Sequence, residues 1–278
     1  MIYKEKLRRL FQNTYTETNK NHDEAVIAFE NFCNINRCNI PIMVNYDTHS
    51  DVYLNMKQIS PNIANWVNFC FSKLGVIEYY WIIPHYITKN EQYKKVFETN
   101  PNLHKDTFQN GAMRAFGNLD DVLKQDFILD KKNSEIMTPK KLDIINEKNK
   151  KYNLPLITCF SDDFTPISIY IVPFDKISVL KGKEIALSID ADSFCNSGHD
   201  TISAINNIDI SSEEIKKEFE LFINELYDNE VIVSTASLTR SPAYFPSKFE
   251  PEINEFFSDC KSVSTFKKGV KHEEFAQV

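Results

Sequence analysis

Short apolar runs alternate along this chain with segments in which apolar residues return every third or fourth position. "AVIAF" (25–29) and "IPIMVNY" (40–46) read as strands, as do "VIEYYWIIP" (76–84), "PISIYIVPF" (166–174), "EIALSIDAD" (184–192) and "EVIVSTAS" (230–237). Residues 60–74 read as a helix with Ser60 as N-cap, Pro61 at the first position and Gly75 just past the end. Residues 211–229 give the clearest helix, opening with a capping box and placing Ile215, Phe219, Phe222, Ile223 and Leu226 on one face. A last helix is predicted over 246–259. Strands that are nearly uniformly apolar, alternating with helices, predict an α/β protein: a three-layer αβα sandwich with a mainly parallel sheet. The polar, weakly periodic stretch 90–155 breaks the rhythm and reads as an insertion or lid within a single domain covering 1–278.

Composition narrows this picture. A length of 278 residues with 42% hydrophobic and 26% charged content is enough to bury one substantial core. A net charge of −7 with scattered basic residues argues against a nucleic-acid groove. The first residues carry charge but no apolar signal core, and no run of about 18 apolar residues could span a bilayer, so no membrane partner and a cytoplasmic location are expected. Six cysteines without a CxxC pair read as reduced, mostly buried thiols, and asparagine is expected at many turn positions in a chain with only six glycines.

The chemistry concentrates at two strand ends. In "NYDTHSDVYLN", Asp47, His49 and Asp51 are spaced two apart, which in an extended backbone aims all three at one face. "SIDADSF" repeats the device with Asp190 and Asp192. Ligands of parallel sheets bind beyond the carboxyl ends of the strands, where both motifs fall. An Asp at a strand end ordinarily makes a local turn, but two such motifs in one sheet point to a cation. Two carboxylates about 4 Å apart repel by roughly 4 kcal/mol at an effective dielectric of about 20, so four of them require protons or metal ions. Oxygen-rich ligands with one imidazole favour Mn²⁺ over Zn²⁺. Further candidates are His85 and His199 as general acids, with Ser237, Arg240 and Tyr244 in "STASLTRSPAYF" as contacts for substrate oxygens. Trp66 reads as helix–sheet packing.

The ordered set DxHxD, then DxD, resembles the metal core of the arginase and histone-deacetylase superfold. The blocks "NYDTHSDVYLN", "NIANWVNFCFSKLGVIEYYWIIP", "LSIDADSF" and "IVSTASLTRSPAYFP" are similar to uncharacterised protein family 0489, which includes the peptide arginases. That resemblance implies a two-manganese hydrolase converting an arginine side chain, in a small-molecule or peptide substrate, to ornithine and urea through a metal-bound hydroxide. It implies that Asp47 and Asp190 bridge the ions, that His49 and Asp192 complete one subsite, and that Asp51 serves the other. The family's early strand ends in an acidic residue followed by histidine. With 25–29 taken as that strand, Glu30, Asn31, Phe32 and Cys33 stand where the histidine should be. This departure leaves open a deacetylase-like amidohydrolase with a single metal, or a degenerate binding protein of the same fold.

Overall fold

The computed structural model describes residues 3–99, 119–158, 162–197 and 209–264. Its centre is an eight-stranded sheet in the order β1-β8-β7-β2-β3-β6-β4-β5. The first six of these strands are mutually parallel: β1 (Tyr15–Asn19), β8 (Ile232–Thr239), β7 (Glu184–Asp190), β2 (Ile42–Tyr46), β3 (Glu78–Ile83) and β6 (Phe164–Pro173). At one edge β4 (Leu123–Asp130) pairs antiparallel with β6, and β5 (Glu135–Met137) pairs antiparallel with β4.

Helices cover both faces, because the strands are apolar on both. In β3, Tyr79, Trp81 and Ile83 enter one core while Tyr80 and Ile82 enter the other. The first core includes α2 (Ala25–Asn36) and α3 (Trp66–Leu74). The second includes α1 (Tyr3–Phe11), α7 (Ser212–Asp228) and α8 (Glu250–Val263). Three shorter or peripheral helices complete the described α-helices: α4 (His85–Thr88), α5 (Glu91–Thr99) and α6 (Pro139–Lys151). The result is the three-layer α/β sandwich that the alternation predicts. The capping box of α7 is present, with Ser211 and Glu214 each satisfying the other's backbone N–H.

The structure corrects several boundaries. Residues 25–29 are not a strand: they open α2, in which Ala25, Ala28, Phe29 and Phe32 are buried while Ile27 is 57% exposed. That is helical spacing, i, i+3, i+4, i+7, and a five-residue window is too short to distinguish it from a buried strand. Helix α3 begins at Trp66 rather than Ser60, because Asn65 closes a turn on Asn62 and the chain from 60 to 65 is a loop. Gly75 does end α3, at φ +75°. The polar stretch 90–155 supplies β4, β5 and α6, so part of it continues the main sheet. Asparagine occupies only two of the seven non-glycine positive-φ positions among the described residues, Asn55 and Asn153.

The chain leaves β2 for β3 on one side and leaves β7 for β8 on the other, although β2 and β7 are neighbours. The connections therefore diverge above the β2–β7 pair and open a crevice there. The floor of that crevice rests on aromatic packing: the rings of Tyr46, the last residue of β2, and Phe222 of α7 stack with centroids 4.0 Å apart, both fully buried. Replacing Phe222 by Ala should cost about 3–5 kcal/mol through lost burial and the cavity left behind. Denaturant unfolding checks this, and a loss under about 1 kcal/mol would mean that the stack does not support the crevice.

Candidate metal centre

Each acidic motif is built the same way. Asp47 follows β2 directly, and its Oδ1 accepts the backbone N–H of His49 at 2.9 Å. Asp190 ends β7, and its Oδ1 accepts the backbone N–H of Asp192 at 3.3 Å. One carboxylate oxygen thus fastens a turn, as Asp does generally after a strand. The other oxygen, Oδ2 in both residues, lies 3.1 Å from His22 Nδ1. The triplet 47–51 is therefore a turn rather than the extended segment that the two-residue spacing suggests, with Asp51 at φ +52°. It still converges: Asp51 Oδ2 is 2.8 Å from the same His22 nitrogen.

His22 is the residue that the sequence reading missed. It lies in a short 3-10 turn (His22–Glu24) between β1 and α2 and is 3% exposed. Its Nε2 is 2.7 Å from Ser188 Oγ on β7. With Nε2–H directed at Ser188, loss of the Nδ1 proton would leave a lone pair facing the carboxylates, where an ion could replace that proton. Once 25–29 is a helix, the early strand is β1, "YTETN", and the histidine follows it in "KNHDE". The position thought to lack a histidine has one. Glu30 and Cys33 stand elsewhere, about 7.5 Å and about 12 Å along α2 from Ala25. There Glu30 pairs with Lys73 at 3.5 Å.

The side chains form two groups that share Asp47: His22, Asp47 and Asp190, and then Asp47, His49 and Asp192. Within each group the candidate ligand atoms lie within 4.8 Å of one another. All five sequence-derived metal candidates, Asp47, His49, Asp51, Asp190 and Asp192, meet at this point. His49 Nδ1 is 3.4 Å from Asp47 Oδ1 and 3.2 Å from Asp192 Oδ2. Asp192 is fully buried, yet its Oδ2 has no properly aligned hydrogen-bond donor. A buried carboxylate oxygen left in that state is costly unless a cation faces it.

The remaining candidates sit around this cluster in different ways. The Tyr244 ring lies 5.3 Å from that of His49, whose side chain is 27% exposed, so this edge opens to solvent. Arg240 is exposed at the end of β8, and its backbone N–H donates to Asn19 O. The next residue, Ser241, donates its hydroxyl to Asp190 Oδ2. Ser237 is buried within β8 and its Oγ accepts from Asn19 Nδ2 at 2.7 Å, which ties it to β1. His85 Nδ1 is 2.8 Å from Glu218 Oε2, and Lys89 also pairs with Glu218, so this imidazole faces α7. His199 lies outside the described residues, as does Cys159. The other five cysteines form no disulfide among the described residues.

The cluster's protonation shows how its charge is balanced. Burial alone would raise the Asp47 carboxyl, but hydrogen bonds from His22 and His49 hold it well below the usual range. Burial, then the charge of Asp47, pushes Asp51 up to about 6. Burial, then Asp190 and Asp47, carries Asp192 well above the ordinary carboxyl value. Burial opposes a charge on His22, yet Asp190 and Asp51 outweigh it and raise its pKa well above the usual imidazole value. Without a metal, the raised proton affinity of Asp51, Asp192 and His22 offsets part of the cluster's charge, and the donor set of four carboxylates and two imidazoles suits a hard or borderline divalent ion that would displace those protons.

No family model matches the chain, and no curated protein does. Among solved structures it is similar to proclavaminate amidino hydrolase from Streptomyces clavuligerus, at 10% identity over 94% of this chain and 67% of that one, with a TM-score of 0.37. A likeness of that size carries no argument about chemistry. The fold and the site by themselves define the class: a three-layer α/β protein with a buried His/Asp cluster at the switch point of its sheet. No described helix is long and apolar enough to cross a membrane.

The protonation pattern sets a pH dependence. Asp51, Asp192 and His22 have raised folded-state values, so the stability they give is complete below their unfolded values, about 3.9 for Asp and 6.5 for His. It is lost as pH rises through the folded values, the first at about 6 for Asp51. Asp47, depressed, acts oppositely and loses its contribution only as pH falls below about 4. With chelator present, the melting temperature should fall from pH 5 to 8, and the gain on adding Mn²⁺ should grow over the same interval. A gain that is the same at every pH would contradict this charge balance.

Proposed function

We propose that this chain is a metal-dependent hydrolase of a C–N bond other than a peptide bond, acting on the guanidinium of arginine in a peptide or small molecule to give ornithine and urea. The observation that carries the reading is the pair of ligand groups sharing Asp47, with His22 completing the first of them. Each group then offers carboxylate oxygens and one imidazole, which suits two divalent ions, Mn²⁺ being the expected metal. His22, Asp47, Asp51 and Asp190 would hold one ion, and Asp47, His49, Asp190 and Asp192 the other. Bound there, the ions would lower the pKa of water toward neutrality and polarise the bond under attack.

The chain's own groups supply the rest. Asp47 and Asp190, with their Oδ1 atoms committed to turns, keep a fixed position between the two subsites. His49 and Tyr244 form the solvent side of the cluster, where a planar guanidinium can lie against the aromatic ring. Arg240, one residue from the Ser241 that binds Asp190, is suited to a carboxylate or carbonyl of the substrate. His199 is retained as the candidate proton donor for the leaving amine. The single-metal, deacetylase-like reading and the degenerate binding protein both rested on a missing early histidine. With His22 in the cluster, neither has an observation that favours it.

Elemental analysis of protein reconstituted with Mn²⁺ should give two equivalents, and Asp47→Ala and Asp190→Ala should each abolish tight binding. Urea release should follow from arginine-containing peptides or free arginine with reconstituted protein, and should fall at least 100-fold in both variants. Normal metal content in both variants would sink the assignment. Two bound ions without urea from any guanidino substrate would sink the reaction while sparing the site.

A further inference from the structure

The chain has two tryptophans, and both donate to the 47–51 turn. Trp81 Nε1 donates to the carbonyl oxygen of Asp47 at 2.9 Å. Trp66 Nε1 donates to Asp51 Oδ2 at 2.6 Å, the same oxygen that faces His22 Nδ1. The Trp66 ring also lies 4.7 Å from the His22 imidazole and 6.3 Å from Phe29. Trp66 is fully buried, so the packing role expected from its sequence is only part of what it does.

We infer that Trp66 is a positioning residue for one of the two metal subsites, that of His22 and Asp51, and leaves the subsite of His49 and Asp192 to other supports. This rests on the two-ion reading above. Asp51 sits at φ +52°, a left-handed turn position that Asp adopts more readily than most residues. The indole N–H holds its side chain there through a charge-assisted hydrogen bond to one carboxylate oxygen. The indole ring restrains His22 through contact. Trp66 thus touches both ligands that belong to this subsite alone. The other subsite has separate supports: the Thr48 backbone N–H donates to Asp192 Oδ1 at 3.4 Å, and the Tyr86 and Thr48 hydroxyls both reach the Asp192 carbonyl at 3.2 Å. The two subsites also differ in access, with His22 and Asp51 almost wholly buried and His49 partly open.

Trp66→Phe removes the donor while keeping an aromatic ring against His22 and Phe29. Partners of metal ligands typically contribute 10–100-fold in affinity. Equilibrium dialysis with Mn²⁺ alone should show two tight equivalents in wild-type protein, but in the variant one unchanged and one weakened by about 10–100-fold. The metal-free melting temperature should fall, since a buried carboxylate loses its donor, but a purely structural role would weaken both ions alike rather than one. Two wild-type affinities in Trp66→Phe overturn the inference, and so does equal weakening of both ions. Wild-type protein that binds no Mn²⁺ overturns the two-ion reading first and this assignment with it. If the phenylalanine variant does not fold, 3-benzothienyl-alanine at position 66 keeps the bicyclic shape, replaces N–H by sulfur and is read in the same way.

Discussion

Four buried carboxylates that cannot all be charged in each other's company are the constraint on which the centre of this molecule turns. Each of Asp47, Asp51, Asp190 and Asp192 is at most 6% exposed, so water does little to screen them. Something positive must sit among them, and the surrounding fold is arranged to keep that requirement in place. Two turn-forming oxygens, the indoles of Trp66 and Trp81, and the hydroxyl of Ser241 hold the carboxylates where they repel. A merely structural rim would relax outward. This one is braced from several directions, as a preorganised binding site is.

The sheet's topology makes such a cluster available. Crossovers that diverge between β2 and β7 leave a notch, and residues at or within three positions of the ends of β1, β2, β7 and β8 converge on it. Polar residues of β2, β7 and β8, namely Asn45, Ser188 and Ser237, extend the polar lining below the rim, while the opposite face of the same strands is filled by Val44, Leu187 and Ala236. The period of two in a strand thus puts these polar residues on one face and the apolar ones on the other within a single layer.

Much of this could be read from the amino acids, and the failures have physical causes. The central strands were legible because burial on both faces makes them continuous apolar runs. The acidic pairs were legible because charge directly after such runs is unusual. Strand β1 was not, since it is an edge strand of five polar or half-polar residues paired only with β8, and nothing apolar marks it. Its omission shifted the frame: the next apolar run was taken for the first strand, and a search for histidine began eight residues too late. "YTETN" followed by "NHDE" did carry a signal, a histidine flanked by carboxylates, but it becomes informative only once the strand before it is known. The donors at Asp51 and Asp190 were invisible for another reason: Trp66 and Ser241 reach them across the fold, and no spacing in the chain encodes that contact.

The order of the ligands along the polypeptide has a consequence for how the molecule is made. His22, the 47–51 turn and the 190–192 turn are separated by well over a hundred residues in total. Four of the six side chains could gather early, but the centre closes only when β7 docks beside β2, long after its first histidine has left the ribosome. Until then His22 and the first carboxylates are only an open, partial set of ligands. Any cation taken up by this architecture would be captured late in biogenesis, once the sheet is complete.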